Sequence, residues 1–215
     1  MKKFVKCHLT YIDQYYIGAI ITGNVQLVEK EILHVAVGQK GRNNASGSGG
    51  TFVVKENLNG SFSPIVIAGG AGGANYGKSR REVPWCNAEL SEYGNGTMVG
   101  EKNADIGKDG KSGYREYFTG GSGYNENRYD VTDLDPKCFT GGLHGGRYQG
   151  NRIFDGGFGG GGTAGSNAGG GGYTGGHSAT FVTAAGGGGS YNADPNGKSE
   201  HGWYNAGKCM INFIK

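Results

Sequence analysis

One stretch of the chain matches the spacing of a phosphate-binding loop. Gly72 and Gly77, followed by Lys78 and Ser79, fit the pattern G-x-x-x-x-G-K-S, in which backbone amides and the lysine hold phosphates and the hydroxyl binds Mg²⁺. That chemistry needs a helix directly after the loop. Here the chain continues Arg-Arg-Glu-Val-Pro, which is short and broken by proline. We interpret the match as chance in a glycine-rich chain and expect no cofactor.

The other residues able to do acid–base or metal chemistry are scattered. No histidine has a Cys, Asp or Glu at a spacing typical of a metal site or a catalytic triad; the five are His8, His34, His144, His177 and His201. A small acidic cluster lacks the remaining ligands of a calcium loop and favours a solvated turn; it consists of Asp130, Asp133 and Asp135. We expect no metal site, no catalytic residue and no enzymatic activity.

Arg147 and Arg152 lie close to Tyr148, a combination that can contact nucleic acid. There is no RGG array and no basic stripe. The net charge is +3, from 21 basic and 18 acidic residues, which is too small to indicate nucleic acid or a membrane surface as a partner. We therefore expect no nucleic-acid partner.

Four cysteines are far apart and form no CxxC pair: Cys7, Cys86, Cys138 and Cys209. An even count fits two disulfides in any of three connectivities, and buried free thiols are the alternative. We favour Cys86 with Cys138, and Cys7 with Cys209 on the two terminal strands. Three N-x-S/T triplets are glycosylation candidates if the chain is secreted; they begin at Asn44, Asn59 and Asn95.

Composition sets the class of protein. Glycine accounts for 47 of 215 residues without a G-X-Y period, and only 4 prolines occur, which excludes collagen. The 24 aromatic residues and several β-forming segments favour a folded chain over a disordered one. No apolar run is long enough for a transmembrane helix, and the charged start Met1–His8 predicts no signal peptide.

The strongest secondary-structure signals lie at the two ends of the chain. Residues 4–12, 15–22 and 32–37 are predicted strands, the last with Leu33, Val35 and Val37 on one face. Segments 51–55 and 64–68 flank Asn59-Gly60 and predict a hairpin in which Pro64 starts its strand. Residues 179–184 and 208–214 are predicted strands again. We predict one domain over 1–215, with a β core from 4–68 and 179–215 and a glycine-rich, irregular insertion from 69–176.

Short glycine runs of similar length occupy 69–74, 156–162, 169–176 and 186–189, and 22 of the 50 residues in 141–190 are glycine. Polyglycine winds into a polyproline-II-type helix that rises about 3.1 Å per residue, and such helices can bond side by side because no Cβ separates them. We predict a bundle of these helices, with flexible loops as the alternative. The structural glycines are Gly69, Gly70, Gly72, Gly73, Gly159, Gly160, Gly161, Gly162, Gly169, Gly170, Gly171, Gly172, Gly186, Gly187, Gly188 and Gly189.

The order of these segments resembles the glycine-rich extracellular region of the anaplastic lymphoma kinase and leukocyte tyrosine kinase receptors. The resemblance covers residues 15–215 and is carried by the order and spacing of several motifs: 31–41 (EILHVAVGQKG), 50–54 (GTFVV), 65–74 (IVIAGGAGGA), 156–162 (GGFGGGG), 169–176 (GGGGYTGG), 186–191 (GGGGSY) and 207–211 (GKCMI). It implies a tumour-necrosis-factor-like, jelly-roll-type β-sandwich carrying a polyglycine bundle.

The same resemblance implies an extracellular or cell-surface location, a small cytokine-like protein ligand, and membrane attachment only through a transmembrane segment of a larger parent protein, of which this chain is a fragment. We expect a binding module whose polar segment 75–140 and loop 192–204 contact the partner, because binding residues concentrate on loops held by a scaffold. The alternative is a structural or adhesive glycine-rich protein that self-associates.

Overall fold

The computed structural model describes residues 2–8, 17–74, 84–96, 114–115, 118–125, 134–148, 152–163, 167–179, 184–203 and 207–214. The strands are Lys2–His8 (β1), Gly18–Gln26 (β2), Ile32–Ala36 (β3), Thr51–Glu56 (β4), Phe62–Ala68 (β5), Tyr114–Arg115 (β6), Phe118–Thr119 (β7), Tyr191–Asn192 (β8), Lys198–Trp203 (β9) and Lys208–Ile214 (β10). Two single-turn 3-10 helices cover Pro84–Cys86 and Arg152–Phe154. The described part is therefore mainly β.

Two four-stranded antiparallel sheets form the core. Sheet A has the order β10-β1-β2-β9, and sheet B has the order β3-β4-β5-β8. The sheets pack face to face through one apolar cluster, whose fully or largely buried members are Ala19, Ile21, Val53, Ile65, Val66, Ala68 and Ala88. This arrangement is a β-sandwich, in which alternate residues of each strand fill the space between the sheets.

The two central strands of sheet B, β4 and β5, are buried on both faces. Val53 faces sheet A, whereas Phe52 and Val54 on the same strand pack into a second cluster with Tyr124 and Leu143 from the glycine-rich part of the chain. Strands covered on both sides need apolar residues at every position, which explains the continuous runs in β4 and β5. The molecule thus has three layers: sheet A, sheet B and the glycine-rich segments.

The predicted hairpin is confirmed, with one correction. Strands β4 and β5 pair around a turn in which Gly60 has a φ of +78°, a value that favours glycine. Pro64, however, lies inside β5 rather than at its start. The register shifts between Val53 and Val54, next to Pro64, so the proline sits at an irregularity where its missing N–H does no harm.

Strands predicted at 32–37 and 208–214 are also confirmed. Strand β2 confirms residues 18–22 of the segment predicted at 15–22, whose first two residues lie outside the described part, and β1 confirms the first part of the segment predicted at 4–12. The remainder of that segment lies outside the described residues, as does most of the strand predicted at 179–184. Ala179 forms an isolated antiparallel bridge with Asn167. The loop predicted at 192–204 is right for residues 193–197, which form a turn, and wrong for Lys198–Trp203, which forms β9 beside β2.

The strand order bears on the predicted jelly roll. A jelly roll is made of two Greek keys, in which a returning strand lies beside the first of four. In sheet A the last strand, β10, returns to lie beside the first, β1, whereas the strands of sheet B lie side by side in chain order, as β3, β4, β5 and β8. The described strands therefore establish a β-sandwich, and the jelly-roll type stays a prediction.

Candidate functional site

The glycine-rich segments are tied together by backbone hydrogen bonds that repeat every three residues. The amides of residues 168–173 donate to three neighbouring segments in rotation, with N···O distances of 2.8–3.4 Å. The bonds run from Ala168 to Ala45, Gly169 to Thr119, Gly170 to Gly186, Gly171 to Ser48, Gly172 to Ser122 and Tyr173 to Gly189. A strand in a β-sheet bonds to at most two neighbours with a period of two, so this segment is packed differently.

Carbonyl groups of the same segment accept bonds from three further places. Those of Ala168 and Gly171 accept from Gly73 and Gly70, that of Gly169 from Gly162, and that of Gly170 from Gly176. Residues 168–173 are therefore bonded on all sides. We call the described segments 44–50, 69–74, 119–123, 156–163, 167–178 and 184–189 the glycine scaffold. Segments 44–50 and 119–123 belong to it although their shorter glycine runs gave no such prediction.

The scaffold leaves no room for side chains at its centre. A Cβ built on any of Gly169, Gly170, Gly171 or Gly172 would lie closer than 3.0 Å to backbone atoms of another segment. Real Cβ atoms are essentially never found this close to backbone. The predicted structural glycines at these positions are thus required by close backbone approach.

The described residues of the phosphate-loop match form backbone hydrogen bonds within this network. The amide of Gly72 donates to the carbonyl of Cys86, and those of Gly73 and Ala74 donate to Ala168 and Asn44. These amides are therefore directed at protein carbonyls and not toward a phosphate. Gly77, Lys78 and Ser79 lie outside the described residues. The match with Walker A spacing consequently adds no support for a nucleotide site.

An exposed group of arginines and apolar side chains lies at one edge of the scaffold. Its foundation is Phe154, which packs on Ala45 and Ala168 of the scaffold. The carbonyl of Phe154 accepts bonds from the hydroxyls of Ser46 (2.9 Å) and Thr163 (3.0 Å). The short helix Arg152–Phe154 is thus fixed directly to the glycine segments.

Tyr148 lies on this foundation, with its ring centroid 5.2 Å from that of Phe154. Its amide donates to the Asp155 carboxylate (3.0 Å), and the amide of Arg42 donates to the Asp155 carbonyl (3.0 Å). Tyr148 is 42% exposed and Ile153 is 54% exposed. The structure therefore brings together five residues that we call the Arg–Tyr surface: Arg42, Arg147, Tyr148, Arg152 and Ile153.

All three arginines of this surface are exposed. The ion pairs recorded in the described part of the chain, Lys55–Glu31 and His34–Glu56, lie elsewhere. The sequence pointed to Arg147, Tyr148 and Arg152, but it missed Arg42 and Ile153. Arg42 is more than one hundred positions away along the chain, so no local signal could link it to Tyr148.

Tyrosine rings connect the scaffold to sheet B. Tyr173 stacks on Tyr191 at 4.7 Å and on Tyr124 at 6.1 Å between centroids. Burial, together with the two neighbouring tyrosines, raises the pKa of Tyr124 to about 12. This ladder of rings is part of the aromatic cluster around Phe52. It holds the scaffold against the β core.

The predicted loop around Asp194 is a structural turn. The Asp194 carboxylate accepts bonds from the amides of Asn24 (2.8 Å) and Asn196 (2.9 Å). These amide bonds, that of Asn24 first, hold the pKa of Asp194 below its ordinary value. The turn therefore links β2 to the β8–β9 connection. Its polar residues serve local structure as well as solvation.

The cysteines have different environments. Cys86 is fully buried beside Ala71 and Ala184, and burial raises the pKa of its thiol. The structure contains Cys86 as a free thiol, so the predicted Cys86–Cys138 disulfide is not formed in it. The Sγ atom of Cys138 lies 3.3 Å from the hydroxyl of Thr140. Cys7 and Cys209 are direct partners in the register of β1 and β10, a separation that suits a disulfide; that pairing stays a prediction.

The glycosylation candidates differ in accessibility. Asn59 is exposed at the hairpin turn, where its side-chain oxygen accepts bonds from Ser61. Asn44 and Asn95 are half-buried, and their backbones bond within or beside the scaffold. Asn59 is therefore the position best placed for a glycan.

Histidines and acidic residues form no metal site within the described ranges. The His201 ring donates to the carbonyl of Ala88 (2.7 Å), and the buried ring of His177 donates to that of Ser178 (2.7 Å). His34 lies 2.8 Å from the Glu56 carboxylate. His144 is exposed. Asp130, Asp133 and the side chain of His8 lie outside the part of the chain that the structure describes.

Comparisons with known proteins give this chain no family. No family model matches it, and no curated protein matches its sequence at a significant level. Among the described residues, no helix combines the length and apolar character needed to cross a membrane. The function must therefore be argued from the glycine scaffold and the Arg–Tyr surface.

Proposed function

We propose that this chain is a non-catalytic binding module, in which a bundle of polyglycine-II helices holds the Arg–Tyr surface in a fixed position for a protein partner. The observation that carries the proposal is the rotation of the backbone bonds of residues 168–173 among three neighbours. A polyproline-II-type helix has three residues per turn. Its amides therefore point in three directions, which is the pattern of these bonds.

Rigidity is the contribution of such a bundle. Ordering one glycine backbone costs roughly 1–2 kcal/mol, and glycine is the most costly residue to order. The bonds between segments and the aromatic contacts with sheet B offset that cost. A binding surface built on ordered backbone loses less entropy when a partner binds. Phe154, packed on Ala45 and Ala168, transmits this order to Tyr148.

The composition of the Arg–Tyr surface supports binding of a protein. Arginine and tyrosine are enriched at the centres of protein interfaces, and their truncation often costs the most affinity. An exposed isoleucine beside them adds apolar area that water solvates poorly. The partner predicted from the receptor resemblance is a small cytokine-like protein, and the location it implies is extracellular or on the cell surface.

A specific observation favours a second candidate, self-association. Among the described strands, β3 is an edge of sheet B, and it contains no lysine, arginine, carboxylate, proline or glycine between Ile32 and Ala36. Ile32 is 56% and Val35 is 45% exposed. Edge strands usually carry charges, prolines or bulges that prevent pairing with another chain. A structural or adhesive protein would use this edge to pair with a second copy.

One experiment separates the two candidates. The purified chain and a Tyr148→Ala/Arg152→Ala variant are immobilised and exposed to secreted proteins of the organism that encodes the chain. If the chain is a binding module, we expect at least one secreted protein to bind the native chain. Its affinity for the double variant should be lower by about tenfold or more, because the anchor residues are removed. Lys198 on β9 is also an exposed cation, so Lys198→Ala is the matched control. This variant should bind the secreted protein as tightly as the native chain does.

The proposal fails if every retained protein binds the double variant as well as the native chain. Sedimentation of the chain at micromolar concentration then tests the second candidate. A dimer that dissociates in Val35→Lys, which places a charge on the β3 edge, would establish self-association instead.

A further inference from the structure

The Arg–Tyr surface carries more positive than negative charge. Arg42, Arg147 and Arg152 are exposed. Two described carboxylates lie beside them along the backbone: Asp155, which accepts the Tyr148 amide, and Asp135, next to Leu134, whose carbonyl accepts the Arg147 amide. None of the three guanidinium groups forms an ion pair with the residues that the structure describes. Three arginines beside two carboxylates still leave a local excess of positive charge, which attracts anionic groups.

The apolar part of the surface distinguishes between kinds of anion. Ile153 and Tyr148 expose about half of their area among the arginines. A sulfated polysaccharide or a nucleic-acid backbone would bring further charge against Ile153 and leave its apolar area uncovered. A polypeptide can place a carboxylate on an arginine and an apolar side chain on Ile153 within a few residues.

We propose that the Arg–Tyr surface binds an acidic polypeptide segment in which aromatic or aliphatic side chains alternate with carboxylates. This inference rests on the proposed binding function and names the chemistry of its partner. Each guanidinium can donate two parallel hydrogen bonds to one carboxylate, which is a bidentate geometry. The ring of Tyr148, already held against Phe154, offers a fixed apolar contact at low entropic cost.

The experiment uses a fluorescent random copolymer of glutamate and tyrosine as the probe, with polyglutamate and heparin as the comparison probes. We expect the copolymer to bind the full chain about tenfold more tightly than polyglutamate, and more tightly than heparin. Arg147→Ala/Arg152→Ala should weaken copolymer binding by about tenfold or more, and Lys198→Ala by less than about twofold. Binding should weaken as salt is added.

A second variant isolates the apolar contribution. Ile153→Ser should remove the preference for the copolymer over polyglutamate while leaving polyglutamate binding unchanged. Because these side chains are exposed, circular dichroism and the melting temperature should match those of the native chain, which verifies folding.

Equal or tighter binding of heparin or polyglutamate would overturn the inference, since the surface would then recognise charge without apolar groups. Absence of copolymer binding would overturn it as well. Neither result decides the proposed function, because the comparison of native chain and Tyr148→Ala/Arg152→Ala against secreted proteins assumes nothing about the partner's charge.

Discussion

Replacing Gly170 with alanine is expected to lower the free energy of unfolding by about 3 kcal/mol, a loss typical of severe overpacking. The amide of Gly170 donates to Gly186 and its carbonyl accepts from Gly176. A Cβ at this position would lie closer than 3.0 Å to backbone atoms of Gly70 and Ala71. Backbone cannot rotate away as a flexible side chain can, so the segments must separate. Thermal denaturation should show a melting temperature lower by roughly 6–12 °C.

Gly141→Ala is the matched control. Gly141 is exposed in a turn, its φ is not positive, and the atom nearest to an added Cβ is the side-chain Cβ of Lys137 at 3.2 Å. The same chemical change should cost less than about 1 kcal/mol there. If Gly170→Ala were as stable as Gly141→Ala, the close packing of residues 168–173 against 69–74 would be refuted.

Truncating Phe52 to alanine is expected to lower the free energy of unfolding by about 3–5 kcal/mol. Phe52 is fully buried on the face of sheet B that meets the scaffold. Its ring lies 6.1 Å from that of Phe139, which in turn contacts Tyr124. Removing the ring leaves a cavity between the β core and the glycine scaffold. Urea denaturation followed by circular dichroism measures the loss.

Val35→Ala is the control for this second variant, since Val35 also lies on sheet B but is half exposed. It should cost less than about 1 kcal/mol. A similar loss in the two variants would mean that the contact between sheet B and the scaffold contributes little, and that the three-layer arrangement does not stabilise the chain.

Much of the β core could be predicted because its signals are local. Alternation in β10, the continuous apolar runs of β4 and β5, and the Asn59-Gly60 turn each predict a strand or hairpin within a few residues. Burial of β4 and β5 on both faces also follows from these runs, once a second covering layer is recognised. Pro64 was misplaced because a bulge depends on the register of the partner strand, which no local pattern gives.

The polar edge strand β9 was missed for a physical reason. Its exposed residues need not be apolar, and Lys-Ser-Glu-His-Gly reads as a loop. It is a strand because β2 offers unpaired backbone groups beside it. The place of segment 44–50 in the scaffold was not predicted for the same reason, because it depends on distant partners. With only three glycines, it belongs to the scaffold because Gly162 and Ala71 accept its amide bonds.

The candidate site also combines features that local sequence predicts with features that depend on distant residues. Residue types alone single out Tyr148 and its neighbouring arginines, but the same residue types are also typical of a nucleic-acid contact. The contribution of Arg42 depends on a bond to the Asp155 carbonyl across the fold. Partner identity depends on the shape and charge of such assembled surfaces. Local sequence patterns therefore predict the scaffold better than they predict the binding surface.

Amide hydrogen exchange, measured residue by residue on the native chain, tests the central claim most directly. If the glycine segments are an ordered bundle docked on the sandwich, amides of residues 168–173 should exchange as slowly as those of residues 52–54 in β4. Rapid exchange of 168–173, with 52–54 still protected, would contradict the bundle, and with it the fixed support proposed for the Arg–Tyr surface.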